Sequence, residues 1–167
     1  MVACNWQKTS YLFVVKQLLK TLSADYPNLQ FVQSDKFYWS PKDKTVYYNN
    51  DRLTDKTAEW ALLHELSHGV LGHTHYKTDV NLLQLEVEAW AMAQQIAKTY
   101  DIAIDEDHIQ DCLDTYRDWL HARSKCPTCG EHGLQSNNGD YECLNCSGTW
   151  HVSSERFCRP YRRRVSK

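Results

Sequence analysis

The chain has 167 residues, 42% of them hydrophobic, with 19 basic and 21 acidic side chains. This suits one soluble, globular domain with a small appendage, and apolar runs of only a few residues exclude a bilayer-spanning helix. Seven cysteines, an odd number, behind an N-terminus without a basic-then-apolar secretory pattern argue against a disulfide framework and for reduced thiols in a cytoplasmic protein.

From about Ser10 to Asp25, Leu12, Val15, Leu18, Leu19 and Leu22 recur at helical spacing, and Tyr26-Pro27-Asn28 ends the segment. Leu29 to Gln33, Phe37 to Ser40 and Thr45 to Tyr48 are short, aromatic and β-branched, with turn residues between them, and predict a small antiparallel sheet. A helix follows from a cap at Thr54 or Asp55 to about Leu71, with Gly72 as its stop. Asp79 is expected to cap the next helix, which runs to about Tyr100, and a last one runs from about Asp105 to Ala122. After it the composition turns to Cys, Gly, Asn and Ser. The fold expected is α+β: a body over residues 1–123, a metal ribbon over 124–152 and a basic tail over 153–167.

Within the third segment, His64-Glu65-Leu66-Ser67-His68 places two imidazoles about 40° apart around a helix, so both can reach one metal ion. Glu65 lies about 60° further round from His68, an offset that suits a base beside metal-activated water better than a shared ligand. Trp60 to Leu63 and Val70-Leu71 flank the motif with apolar residues, where three ionisable groups are costly unless they bind something. The pattern H-E-x-x-H is that of a zinc hydrolase helix.

The longer variant with a third His ten positions after the first does not fit, because that position is Thr74; His73 and His75 miss it on either side. On the next helix, Glu86 shares a face with Leu82, Leu83, Ala89, Trp90, Ala93 and Ala97, whereas Glu88 shares one with Gln84 and Gln95. Glu86 is therefore the expected inward carboxylate. In an antiparallel hairpin it stands at roughly 10 Å from the turn, level with His64 and His68. The stretches HELSHGVLGH and LEVEAWAMA resemble the ImmA/IrrE family of metallopeptidases over about Leu53 to Ala97. The resemblance implies a zincin-like body, His64, His68 and Glu86 as zinc ligands, Glu65 as acid/base, and a regulatory protein such as a transcriptional repressor as substrate. Trp90 and Met92 depart from the family's usual Asn and Phe. Thr45 to Asn49 is the strand expected at the substrate edge, and Tyr47, Tyr48, His73, His75 and Tyr76 are candidate oxyanion or substrate contacts.

Cys126-x-x-Cys129 and Cys143-x-x-Cys146 form two knuckles around an Asn138-Gly139 hairpin turn, the spacing of a four-cysteine structural zinc site that resembles a rubredoxin-like ribbon. Gly130 and Gly148 are expected in its tight turns. From Lys125 onward there are 7 basic and 4 acidic residues. Arg156, Arg159, Arg162, Arg163, Arg164 and Lys167 can lie along phosphates, and Trp150, His151 and Tyr161 can stack on bases; a solvated tail is the alternative. Three functions compete: a zinc peptidase acting on a regulatory protein, a SprT-like protease acting on DNA-bound proteins with a histidine as third ligand, and a non-enzymatic nucleic-acid- or protein-binding regulator.

Overall fold

Helix α1 (Cys4–Asp25) starts earlier than its expected first turn and turns Val15, Leu18, Leu19 and Leu22 inward, all buried. The structure, a computed structural model, describes residues 4–53, 55–153 and 160–165, with side chains from residue 15 onward. Leu12, Thr54, Arg156, Arg159 and Lys167 of the sequence reading therefore lie outside the described side chains. The fold is α+β, with four α-helices and two small sheets among the described residues.

Strands β1 (Gln30–Ser34), β2 (Tyr38–Ser40) and β3 (Thr45–Asn49) form a sheet in the order β1-β3-β2. The expected antiparallel sheet is in fact mixed. β3 returns between the two earlier strands, antiparallel to β2 but parallel to β1. Thr45–Asn49 is consequently the central strand and β2 an edge. The reason is visible in β3 itself: Thr45 and Val46 point to opposite faces and both are buried, as suits a strand covered on each side.

Helix α2 (Lys56–Leu71) lies against β2 and β3. Asp55 caps it by accepting from Ala58 N at 3.2 Å. At the other end Gly72 takes the left-handed conformation (φ 67°), its amide bonding Gly69 O and the His73 amide bonding His68 O. This is a Schellman turn, which folds the residue after the glycine back onto the helix's last full turn. Helices α3 (Asp79–Thr99) and α4 (Glu106–Ser124) follow. Thr78, not Asp79, caps α3, its hydroxyl accepting from Asn81 N at 3.2 Å. No helix among the described residues is long and apolar enough to cross a membrane.

By its internal contacts the chain forms two compact units, residues 1–74 with 88–104, and residues 75–87 with 105–167. The division does not fall at the boundary expected after residue 123: α4 and the start of α3 group with the ribbon. In this second unit β4 (Gly133–Gln135), β5 (Tyr141–Cys143), β6 (Thr149–Val152) and β7 (Arg162–Arg164) make an antiparallel sheet in sequence order. Part of the expected tail is thus a ribbon strand. The buried centre is Cys126, Tyr141, Cys143, Trp150 and Val152. A side chain at Gly133 would put its Cβ 2.3 Å from Glu142 O and 2.6 Å from the Trp150 ring, so only glycine fits there.

Asp79 spends its carboxylate elsewhere than on a helix cap. It accepts from the Arg123 guanidinium and from the Tyr141 hydroxyl, with all three residues buried. Burial, reinforced by the Asp79 bond, holds the Tyr141 phenol well above its ordinary pKa, so it stays a neutral donor. Arg123 also stacks over Trp119 at 4.3 Å, donates to Ser153 O, and its carbonyl accepts from Trp150 Nε1 at 3.1 Å. Removing one partner of a buried ion pair costs about 3–5 kcal/mol, because the other charge is left buried alone. Asp79→Ala is therefore expected to lose stability of that order in urea unfolding, and Asp79→Ala with Arg123→Met to lose less than the sum of the single changes. Additive losses would show that the two side chains do not act as a pair.

Candidate metal centres

On α2 the four-residue spacing brings His64 Nε2 and His68 Nε2 to 3.2 Å. Two imidazoles on one tetrahedral metal, each bonded at about 2.05 Å, have their nitrogens roughly 3.3 Å apart, so the pair already stands at ligand separation. His64 is buried and stacks on Trp90, centroids 4.2 Å apart and planes 27° from parallel; His68 is half-buried. Trp90 is thus the plate against which the His64 ring lies.

Glu86 is 7% exposed and Glu88 is exposed, as the helical periodicity predicts. One donor atom from each of His64, His68 and Glu86 lies within 4.8 Å of the others, a set able to hold a cation. Glu65 stands outside this set. Its carboxylate accepts from the backbone N–H of Trp39, on edge strand β2, at 2.8 Å.

The other candidate contacts have separate surroundings. Tyr47 donates its hydroxyl to Asp43 at 3.0 Å and stacks on Tyr38 at 4.4 Å. Tyr48 is half-buried on β3, opposite Gln33 of β1. His75 and Tyr76 are exposed in the segment between α2 and α3. His73 is different: it is buried, with its Nδ1 2.8 Å from His68 Nδ1 and its Nε2 3.4 Å from a Glu88 carboxylate oxygen. Its carbonyl accepts from Trp39 Nε1 at 2.8 Å. Trp39 and Glu88 were not singled out from the sequence as parts of the site. Gly72-His73 carried the signal for the His68–His73 contact, because a Schellman turn apposes the residue after its glycine to the one five positions earlier.

In the ribbon, Cys126 Sγ lies 3.7 Å from Cys146 Sγ, and Cys129 Sγ lies 3.4 Å from Cys143 Sγ. Four sulfurs on one tetrahedral metal at about 2.3 Å would stand roughly 3.8 Å apart. Backbone amides point at the thiols: Thr128 N reaches Cys126 Sγ at 3.4 Å, and Asn145 N reaches Cys143 Sγ at 3.4 Å. The left-handed residues of the knuckles are Gly130 (φ 82°) and Ser147 (φ 54°), so the second turn uses Ser147 where Gly148 was expected. Burial opposes ionisation of Cys126, but the amides of Cys129 and Thr128 and the neighbouring sulfurs outweigh it and bring its pKa down to about 6. Cys146 is the counterpart: the Gly148 amide favours its thiolate, yet Cys129, burial and the other sulfurs push it up to about 12. Four thiols this close cannot all ionise unless a cation sits among them.

Several of the described aromatic and basic groups expected to face nucleic acid are engaged within this unit. Trp150 is fully buried and stacks on Tyr141, so it presents no face to a base. Arg162 donates to the carbonyls of Ala122 and Lys125, and Arg164 to that of Pro127, which occupies both with the end of α4 and the first knuckle. His151 contacts Asp140 at 2.9 Å, and Tyr161 is exposed.

Comparison of the chain with protein-family models, with curated proteins and with solved structures finds no match. The two donor sets predict two metal ions per chain by elemental analysis. Glu86→Ala is expected to leave one, and Cys129→Ser with Cys146→Ser is expected to leave the other. Unchanged content in Glu86→Ala would remove the carboxylate from the ligand set.

Proposed function

We propose that the chain is a cytoplasmic zinc-dependent endopeptidase in which His64, His68 and Glu86 hold the catalytic ion, Glu65 is the general base, and the four cysteines hold a structural zinc. The reading is carried by one observation: two imidazoles and a carboxylate converge within 4.8 Å, while the carboxylate next in sequence to His64 is kept out of that set and tethered to an edge-strand amide. The donor chemistry fits Zn²⁺, which takes imidazole and carboxylate in open hydrolytic sites and four thiolates in closed structural ones.

Zinc in the first site supplies Lewis acidity, polarising a carbonyl and acidifying water. The remaining work belongs to the chain. Glu65 accepts a proton from the attacking water and delivers it to the leaving amine nitrogen, so the C–N bond breaks without expelling an amide anion. The Trp39 amide orients the Glu65 carboxylate before substrate arrives. The outward edge of β2, rather than central β3, offers its backbone to an extended peptide.

The substrate we favour is a regulatory protein such as a transcriptional repressor, the class that the ImmA/IrrE resemblance implies. The placement of His73 on the Nδ1 side of His68, away from the facing Nε2 atoms, supports Glu86 over a histidine as third ligand and so counts against the SprT-like alternative. The burial of Trp150 and the engagement of Arg162 and Arg164 with backbone carbonyls weigh for protein over DNA as what the chain meets.

Glu65→Gln should retain both metals and lose peptide-bond cleavage by about 10²–10⁴-fold, the usual worth of a general base. The assay is mass-spectrometric cleavage of repressor proteins and a mixed peptide pool. Undiminished cleavage by that variant would sink the peptidase mechanism.

A further inference from the structure

We infer that His73 and Glu88 form a directional relay that fixes the ring of His68 for metal binding. The inference rests on the metal-site reading above and deepens it by assigning two positioning residues. Three contacts run in line: Glu88 carboxylate to His73 Nε2 at 3.4 Å, His73 Nδ1 to His68 Nδ1 at 2.8 Å, and His68 Nε2 to His64 Nε2 at 3.2 Å.

The chemistry of the groups sets the direction of the first two. An ionised carboxylate can only accept, so its field places the ring proton of His73 on Nε2. A neutral imidazole with Nε2 protonated presents a lone pair at Nδ1. Two nitrogens at 2.8 Å need one proton between them, so His68 carries it on Nδ1 and donates. His68 then has its lone pair on Nε2, the atom that faces His64. Each ring is thereby held in one tautomer, and the tautomer of His68 is the one that ligates. Metal-bound histidines generally donate their second N–H to a carbonyl or carboxylate; here a second histidine is inserted between ligand and carboxylate.

Backbone geometry makes the relay a built feature. His73 is placed by the left-handed Gly72 and by its own amide bond to His68 O at 2.9 Å. Its carbonyl is held by Trp39 Nε1, and its ring is 8% exposed. Glu88 is exposed, and its carboxylate reaches the buried imidazole from the solvent side. This gives Glu88 a role on the helix face that the sequence assigns to solvent.

The test measures zinc affinity of the first site by chelator competition, in full-length protein whose four cysteines already hold zinc. His73→Ala is expected to weaken zinc binding 10–100-fold, the usual effect of losing such a partner. Glu88→Ala should weaken it less, and should have no effect in the His73→Ala background, because the carboxylate acts only through the imidazole. Binding within twofold of wild type in His73→Ala, or a Glu88→Ala effect that persists without His73, overturns the relay. An independent readout needs no variant: long-range ¹H–¹⁵N spectra of the zinc-loaded wild type should show His68 protonated at Nδ1 and His73 at Nε2, and the opposite tautomers overturn it. Failure of wild type to bind a zinc beyond the ribbon's would instead overturn the metal-site reading itself.

Discussion

Two ionisable residues, His64 and Glu86, are each 7% exposed, on helices whose buried residues are mostly Leu, Ala and Trp. Burying an uncompensated charge costs several kcal/mol even after relaxation, so a buried site that joins a carboxylate to two imidazoles must keep its charge compensated. A divalent cation bound by the three donors would do so. Around the site Trp90 packs flat on His64, the Trp39 amide holds the Glu65 carboxylate, and His73 backs His68.

Each compact unit uses one amphipathic side chain as its tie. In the first it is Trp39: its amide holds Glu65, its indole N–H holds the His73 carbonyl, and its ring lies where a side chain at Gly69 would clash, 3.0 Å from the Cβ position. In the second it is Arg123, which joins the Asp79 carboxylate, the Trp119 face and the Ser153 carbonyl. Both side chains have a large apolar body and fixed donors, so they fill space and satisfy buried polar atoms at once. Asp79 and Glu86 lie seven residues, nearly two whole turns, apart on α3, and so fall on one face of that helix.

Local patterns made much of this legible. The i, i+4 histidines, the Asp55 cap, the Gly72 stop and the inward Glu86 all follow from helical periodicity, and the knuckles follow from cysteine spacing. What escaped depends on partners distant in sequence. Asp79 looks like a helix cap until Arg123, 44 residues on, claims its carboxylate. Trp150 and Arg162 look like a nucleic-acid surface until the sheet turns one inward and lays the other across the end of α4. The parallel pairing of β1 with β3 has no local signature, since strand alternation fixes faces and not neighbours.

The Trp39–Glu65 bond also bears on self-association. A three-residue edge strand normally leaves its outward amides open to any passing chain, the usual seed of sheet-to-sheet aggregation. In β2 that position is plugged from within by a carboxylate, so a partner gains the amide only by displacing Glu65. Access to the edge and release of the Glu65 carboxylate are thereby one event. A chain that merely brushes the surface finds the strand sealed and the carboxylate tied down, while one that pairs firmly enough to break the seal is held beside a released Glu65 side chain.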